Sequence, residues 1–236
     1  LMRKLLKLVT GALVAPALFI PASAFAEPIV WGIQAEQAEY RINEGSDIFA
    51  WDFDAMVGRD ELKFVFRSEA EYAIAEDSFE TLENQLRLQT PISDFFDAVV
   101  GVRLDTPEGP DRIHGVIGLH GLTKQWFEVD ADLFISDNPS ARFEVEYEGL
   151  ITNRIIFVPS IELDIPFTDD PAVGNGAFAP TLEVGGRLSY DLVDRLVSPY
   201  VGVHYERKFG ATADLARAGG EDAGAVFFVI GARFLF

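Results

Sequence analysis

From Ser46 onward, apolar and polar side chains alternate with a period of two, segment after segment. In IFAWDFDAMV, Phe49, Trp51, Phe53, Ala55 and Val57 share one face, and Asp52 and Asp54 take the other. ELKFVFRSEAEYAI sets Leu62, Phe64, Phe66, Ala70, Tyr72 and Ile74 against Lys63, Arg67, Glu69 and Glu71. The same split recurs in DFFDAVVGVRLD, in QWFEVDADLFIS and in ARFEVEYEG. It predicts twelve strands, near 31–41, 47–57, 61–74, 79–90, 95–105, 112–122, 126–136, 140–150, 154–165, 180–192, 198–208 and 225–236. Most exceed the roughly 5–6 residues of soluble strands and reach the roughly 9–11 of a tilted bilayer crossing. Helical period is nowhere convincing, and after the first residues no apolar run is long enough for a spanning helix. A chain of this kind meets a bilayer as a closed sheet. The expected fold is all-β: an antiparallel up-and-down transmembrane barrel of about twelve strands, or ten if the first pair stays outside the wall.

The connections test that count independently. With the amino terminus in the periplasm, links after even-numbered strands face the periplasm, where outer-membrane barrels keep them short. GRD, PISD, LTK, ITN and VDRLV are all short. The two longest links, PFTDDPAVGNGAFA (166–179) and FGATADLARAGGEDAG (209–224), follow strands nine and eleven and so fall outside the cell. A miscount by one strand would spoil the parity. The chain closes on GARFLF, with Phe234 and Phe236 aromatic, the pattern that outer-membrane barrels present to their insertion machinery.

Composition sharpens the setting. Arg3, Lys4 and Lys7 precede an apolar run from Leu8 to Ile20 and the small-residue pattern Ala24-Phe25-Ala26, which reads as a secretory leader over 1–26 with the barrel domain over 27–236. Loss of those three bases would take the formal charge from −19 to −22, which makes nucleic acid an unsuitable partner. With no cysteine, neither disulfides nor thiolate metal sites are available.

The alternation places Phe127, Val129, Ala131, Leu133 and Ile135 toward lipid and Glu128, Asp130 and Asp132 toward a wet lumen. Strands seven to nine carry eight inward carboxylates and, by parity, only Arg142 among them. Like charges on adjacent strands repel, so something cationic is required. Counterions with arginines reaching across the lumen would answer, and so would bound metal. Carboxylates alone suit Ca²⁺, Mg²⁺ or Mn²⁺; imidazole or thioether moves the preference toward copper, zinc or nickel. His114, His120, His204 and Met56 all have inward parity. The candidate metal set is therefore these four with Asp52, Glu128, Asp130, Glu144, Glu146 and Glu162. His114 and His120 stand six apart on one strand, roughly 20 Å at ~3.3 Å per residue, and cannot share an ion. There is no G-x-S-x-G, H-x-x-x-H or Gly-rich phosphate loop, so no enzyme is expected.

WGIQAEQAEYRINEG, WFEVDADLFIS, ARFEVEYEGLITNR, SPYVGVHYERKFGATADLARAGGED and the closing GARFLF together resemble the copper resistance protein B family of bacterial outer membranes. The resemblance implies an outer-membrane barrel that binds or passes copper and works beside a periplasmic multicopper oxidase and soluble copper carriers. Within the shared pattern fall Asp52 of WDFDA, Glu128 and Asp130 of WFEVDA, Glu146 of EVEY, and Glu206 and Lys208 of ERKFG. Many relatives carry a Met- and His-rich segment ahead of the barrel. Here Met56 is the one thioether past the leader, so a histidine–carboxylate site for Cu(II) is expected rather than a methionine site for Cu(I). Two other readings remain at this stage: a general cation-selective pore, and a barrel that displays its long loops to a partner.

Overall fold

A computed structural model describes residues 28–43, 47–106, 109–193 and 195–236; the leader expected at 1–26 lies outside the described residues. Twelve antiparallel staves form one closed sheet. They are β1 (Val30–Ile42), β2 (Ile48–Arg59), β3 (Leu62–Ala73), β4 (Ser78–Pro91), β5 (Phe96–Thr106) and β6 (Arg112–Leu122). There follow β7 (Phe127–Ile135), β8 (Ser140–Tyr147, resumed after Glu148 by Gly149–Leu150), β9 (Ile155–Pro166), β10 (Thr181–Tyr190), β11 (Val197–Lys208) and β12 (Gly224–Leu235). Each stave pairs with its neighbours in sequence, and β12 returns to β1 to close the cylinder. Observed boundaries lie within two residues of those read from alternation.

Burial is inverted relative to a water-soluble protein. Leu86, Val100, Ile113, Ile117, Phe228 and Ile230 are each more than half exposed, whereas Glu39, Gln85, Arg87, Asp130, Asp132 and Arg187 are buried. Such a surface suits hydrocarbon, and closure leaves no unpaired sheet edge inside it.

Of the departures from strict alternation, two bear on the lumen and its mouth. In β1 the apolar phase runs through Trp31 and Ile33, then shifts to Ala38, Tyr40 and Ile42. The cause is a bulge: Ala35 pairs with Phe53 and Gln37 with Asp52, leaving Glu36 as the extra residue. Beyond it Glu39 and Arg41 are buried, so both join the lumen. The second departure is a helix, α1 (Gly210–Gly219), in the long link after β11, where no helical period was convincing. Its buried stripe is Thr212, Ala213 and Ala216, side chains too small to announce a period.

Both long links lie at one end of the cylinder and pack together there. Thr212 donates to Ala179 O (2.6 Å) and accepts from Gly176 N–H (3.0 Å), and Arg112 at the start of β6 reaches Asp170 at 2.5 Å. This is the long-loop end. The other, the short-turn end, carries both termini of the wall.

Candidate metal site in the lumen

The turn between β6 and β7 fixes the site. Thr123 N–H donates to Phe127 O (2.8 Å), Trp126 N–H to Thr123 O (2.9 Å), and Phe127 N–H to Thr123 Oγ1 (3.2 Å). That turn sets the register in which His120 on β6 faces Asp130 on β7, Leu122 faces Glu128 and Gly118 faces Asp132. His120 Nδ1 lies 3.0 Å from Asp130 Oδ2, and His120 Nε2 lies 3.9 Å from Glu128 Oε1. One ligand atom from each of His120, Glu128 and Asp130 falls within 4.8 Å of the others. The Glu128 side chain is 44% exposed and Asp130 only 8%, so the group opens toward the short-turn end and has a buried floor. Asp130 Oδ1 is a buried oxygen that accepts no hydrogen bond. Across β8, Glu144 stands opposite Asp130 and Glu146 opposite Glu128. An imidazole with convergent carboxylates suits a borderline divalent cation such as Cu(II) better than Ca²⁺ or Mg²⁺.

The cationic partners demanded by β7–β9 are Arg142 on β8 itself and arginines reaching in from other staves. Arg142 spans the lumen to Glu69 (2.7 Å) and Glu83 (3.2 Å) and also meets Glu162 (3.0 Å) and Asp164 (3.2 Å). Arg67 on β3 holds Asp54 and approaches Asp130 at 3.8 Å; Arg87 on β4 pairs with Asp132 and stands 3.5 Å from Asp130. Arg233 on β12 pairs with Glu146 and with Glu148 (3.0 Å). Beside this last group are a cavity of about 60 Å³, lined in part by Glu148, Asp191, Arg195 and Arg233, and one of about 10 Å³ touching Glu36, Glu146 and Arg187.

The other candidates are dispersed. His114 sits six residues along β6, with Nδ1 2.9 Å from Ser136 Oγ and Nε2 3.2 Å from Asp105. Spacing in the sequence did not single out that serine–imidazole–carboxylate line. The imidazole is buried and the serine oxygen already accepts Asn138 N–H, so the contact closes a turn. His204 on β11 pairs with Glu183 at 3.3 Å. Met56 lies near the short-turn end of β2 against Gly32. Glu162 is adjacent to Glu144 in register yet committed to Arg142, and Asp52 on β2 is an electrostatic neighbour of Glu144 from across the lumen.

The family model described as copper resistance protein B precursor (CopB) matches residues 29–236. The chain belongs to the copper resistance protein B family. It is 35% identical over 205 residues to the copper resistance protein B homolog of Pseudomonas syringae pv. tomato, covering 86% of this chain and 68% of that protein. It is 32% identical over 203 residues to copper resistance protein B of Escherichia coli, covering 85% and 68%. Among solved structures the NanC porin shares the fold, with a TM-score of 0.56, 12% identity, and coverage of 87% of this chain and 99% of the porin. Copper is the metal that gives the family its name. Parity alone missed Glu36, Glu39 and Arg41 as lumen residues of this family member; the shift of apolar phase in WGIQAEQAEYRI was the available signal.

Proposed function

We propose that this barrel lies in the bacterial outer membrane with its short-turn end in the periplasm, and serves copper resistance by taking Cu(II) from that side at His120, Glu128 and Asp130. The observation that carries the reading is the convergence of those three ligand atoms within 4.8 Å beside the turn at Thr123–Trp126. Glu128 offers the first contact because it is the most exposed of the three, and His120 and Asp130 complete the set deeper in the lumen. Glu144 and Glu146 flank the set on β8, with Glu146 held by Arg233. The role is binding and delivery without chemical conversion. Its proposed periplasmic partners are a multicopper oxidase and soluble copper carriers, as the family resemblance implies. A general cation pore is less well supported, because Arg67, Arg87 and Arg142 cross the lumen.

Titration of the refolded barrel with Cu²⁺, followed by calorimetry and by the Cu(II) paramagnetic spectrum, tests this. His120→Ala/Glu128→Gln is expected to weaken binding by at least about tenfold, since loss of even an outer-shell partner costs about 10–100-fold. Nitrogen hyperfine structure from one imidazole should disappear with it. Equal Cu²⁺ and Ca²⁺ affinity in the unaltered barrel would overturn the reading.

A further inference from the structure

We infer that Arg87 is a latch on this site, one that competes with an incoming cation for Asp130 and so sets which cations the lumen accepts. The inference rests on the site proposed above and adds its selectivity. The Arg87 side chain is 0% exposed and reaches from β4 to β7, where Nη2 donates to Asp132. Its Nη1 stands 3.5 Å from Asp130 Oδ1 but makes no hydrogen bond, and Nε has no partner either. Asp130 Oδ1 and Asp132 Oδ1 are likewise buried without a hydrogen bond.

One guanidinium is thus divided between two carboxylates, bonded once to Asp132 and only close to Asp130, although its fork could grip a single carboxylate with two parallel bonds. A divalent cation on Asp130 resolves the conflict: it occupies the orphaned oxygen and releases Arg87 to Asp132 alone. Arg67 does not follow, because Asp54 already holds it through Nε (3.1 Å) and Nη2 (3.3 Å). The arrangement depends on Gly118, where a Cβ would come within 1.8 Å of Asp132 Oδ1, so the glycine is what lets Asp132 lie beside Arg87. Displacing a guanidinium raises the threshold for entry. A cation that binds carboxylate and imidazole strongly, as Cu(II) does, passes it; Ca²⁺ does not.

Three variants separate competition from simple charge. Asp132→Asn leaves Arg87 with Asp130 as its remaining carboxylate in the pair and should weaken Cu²⁺ binding about tenfold. Arg87→Met/Asp132→Asn keeps the net charge, removes a buried pair together so that no partner is orphaned, and should bind Cu²⁺ at least about tenfold tighter than the unaltered barrel. Arg87→Lys keeps the charge but cannot fork between two carboxylates; it too should bind more tightly, which keeps the test open should the methionine variant fail to refold. Unchanged affinity in the charge-preserving variants overturns the latch. If His120→Ala/Glu128→Gln leaves Cu²⁺ binding intact, the site itself is wrong; if that variant loses binding while the Arg87 variants do not change it, the latch alone is.

Discussion

Two buried arginine–carboxylate groups share this lumen, and they differ in how fully they are satisfied. On the β10–β1 side, Glu39 is 0% exposed and accepts from Arg41 Nε (2.8 Å), Arg187 Nε (2.8 Å) and Nη2 (2.9 Å), and Tyr200 OH (2.9 Å). On the β4–β7 side, Asp130, Asp132 and Arg87 are nearly as deep but leave several polar atoms unpaired. Depth is alike in the two places, but the first sets one carboxylate between two guanidiniums and the second sets two carboxylates beside one. What also distinguishes them is residual demand for a partner: the first group is finished as built, and the second leaves Asp130 Oδ1, Asp132 Oδ1 and two Arg87 nitrogens without a hydrogen bond. Buried polar groups in native proteins are paired in the great majority, so the unfinished group is an exception that the proposed copper site would account for.

The contrast predicts opposite effects of two similar substitutions. Glu39→Gln strips charge from a carboxylate on which Arg187 depends and should cost about 3–5 kcal/mol, as removal of one buried partner does. Asp130→Asn leaves Arg67 with Asp54 and Arg87 with Asp132, and should cost only about 1–2 kcal/mol. Urea unfolding of the barrel in lipid vesicles measures both, and copper titration should give the reverse ranking, with Asp130→Asn losing Cu²⁺ and Glu39→Gln keeping it. Equal stability losses would erase the distinction. Next in size, Gly118→Ala forces Asp132 away from β6 and should destabilise by about 1–3 kcal/mol, as overpacking does; Gly115→Ala on the same stave, where the nearest atom is 3.7 Å from the new Cβ, should not. The smallest effect belongs to the long-loop end. His114→Ala with His204→Ala should change Cu²⁺ affinity by less than about twofold, because each imidazole is paired with a carboxylate on a part of the wall away from His120.

Much of this architecture was legible in advance, and the rest was hidden for physical reasons. Side chains on a strand alternate between faces, so period two revealed all twelve staves and placed the acids of β7 and β8 inside. Parity says which way a residue points but not what stands across a cylinder. The reach of Arg142 to Glu69, or of Arg87 to Asp132, therefore could not be read, and neither could the selection of His120 over His114 and His204. The bulge at Glu36 hid Glu39, since one extra residue reverses every later assignment on β1. Helix α1 escaped because its buried face is made of alanines and a threonine.

Glu39 also bears on how the molecule is assembled. It sits on the first stave, while Arg187 and Tyr200 belong to the tenth and eleventh, so these bonds cannot form until nearly the whole wall has been laid down. Gly231 on the last stave leaves the clearance for that meeting, since a Cβ there would stand 2.7 Å from both Glu39 Cβ and Tyr200 Cζ. The acid is in effect a clasp at the seam, paired with Arg41 of its own stave while the ribbon is open and joined to Arg187 and Tyr200 once it shuts. Those late bonds are stabilisation that only the closed cylinder collects.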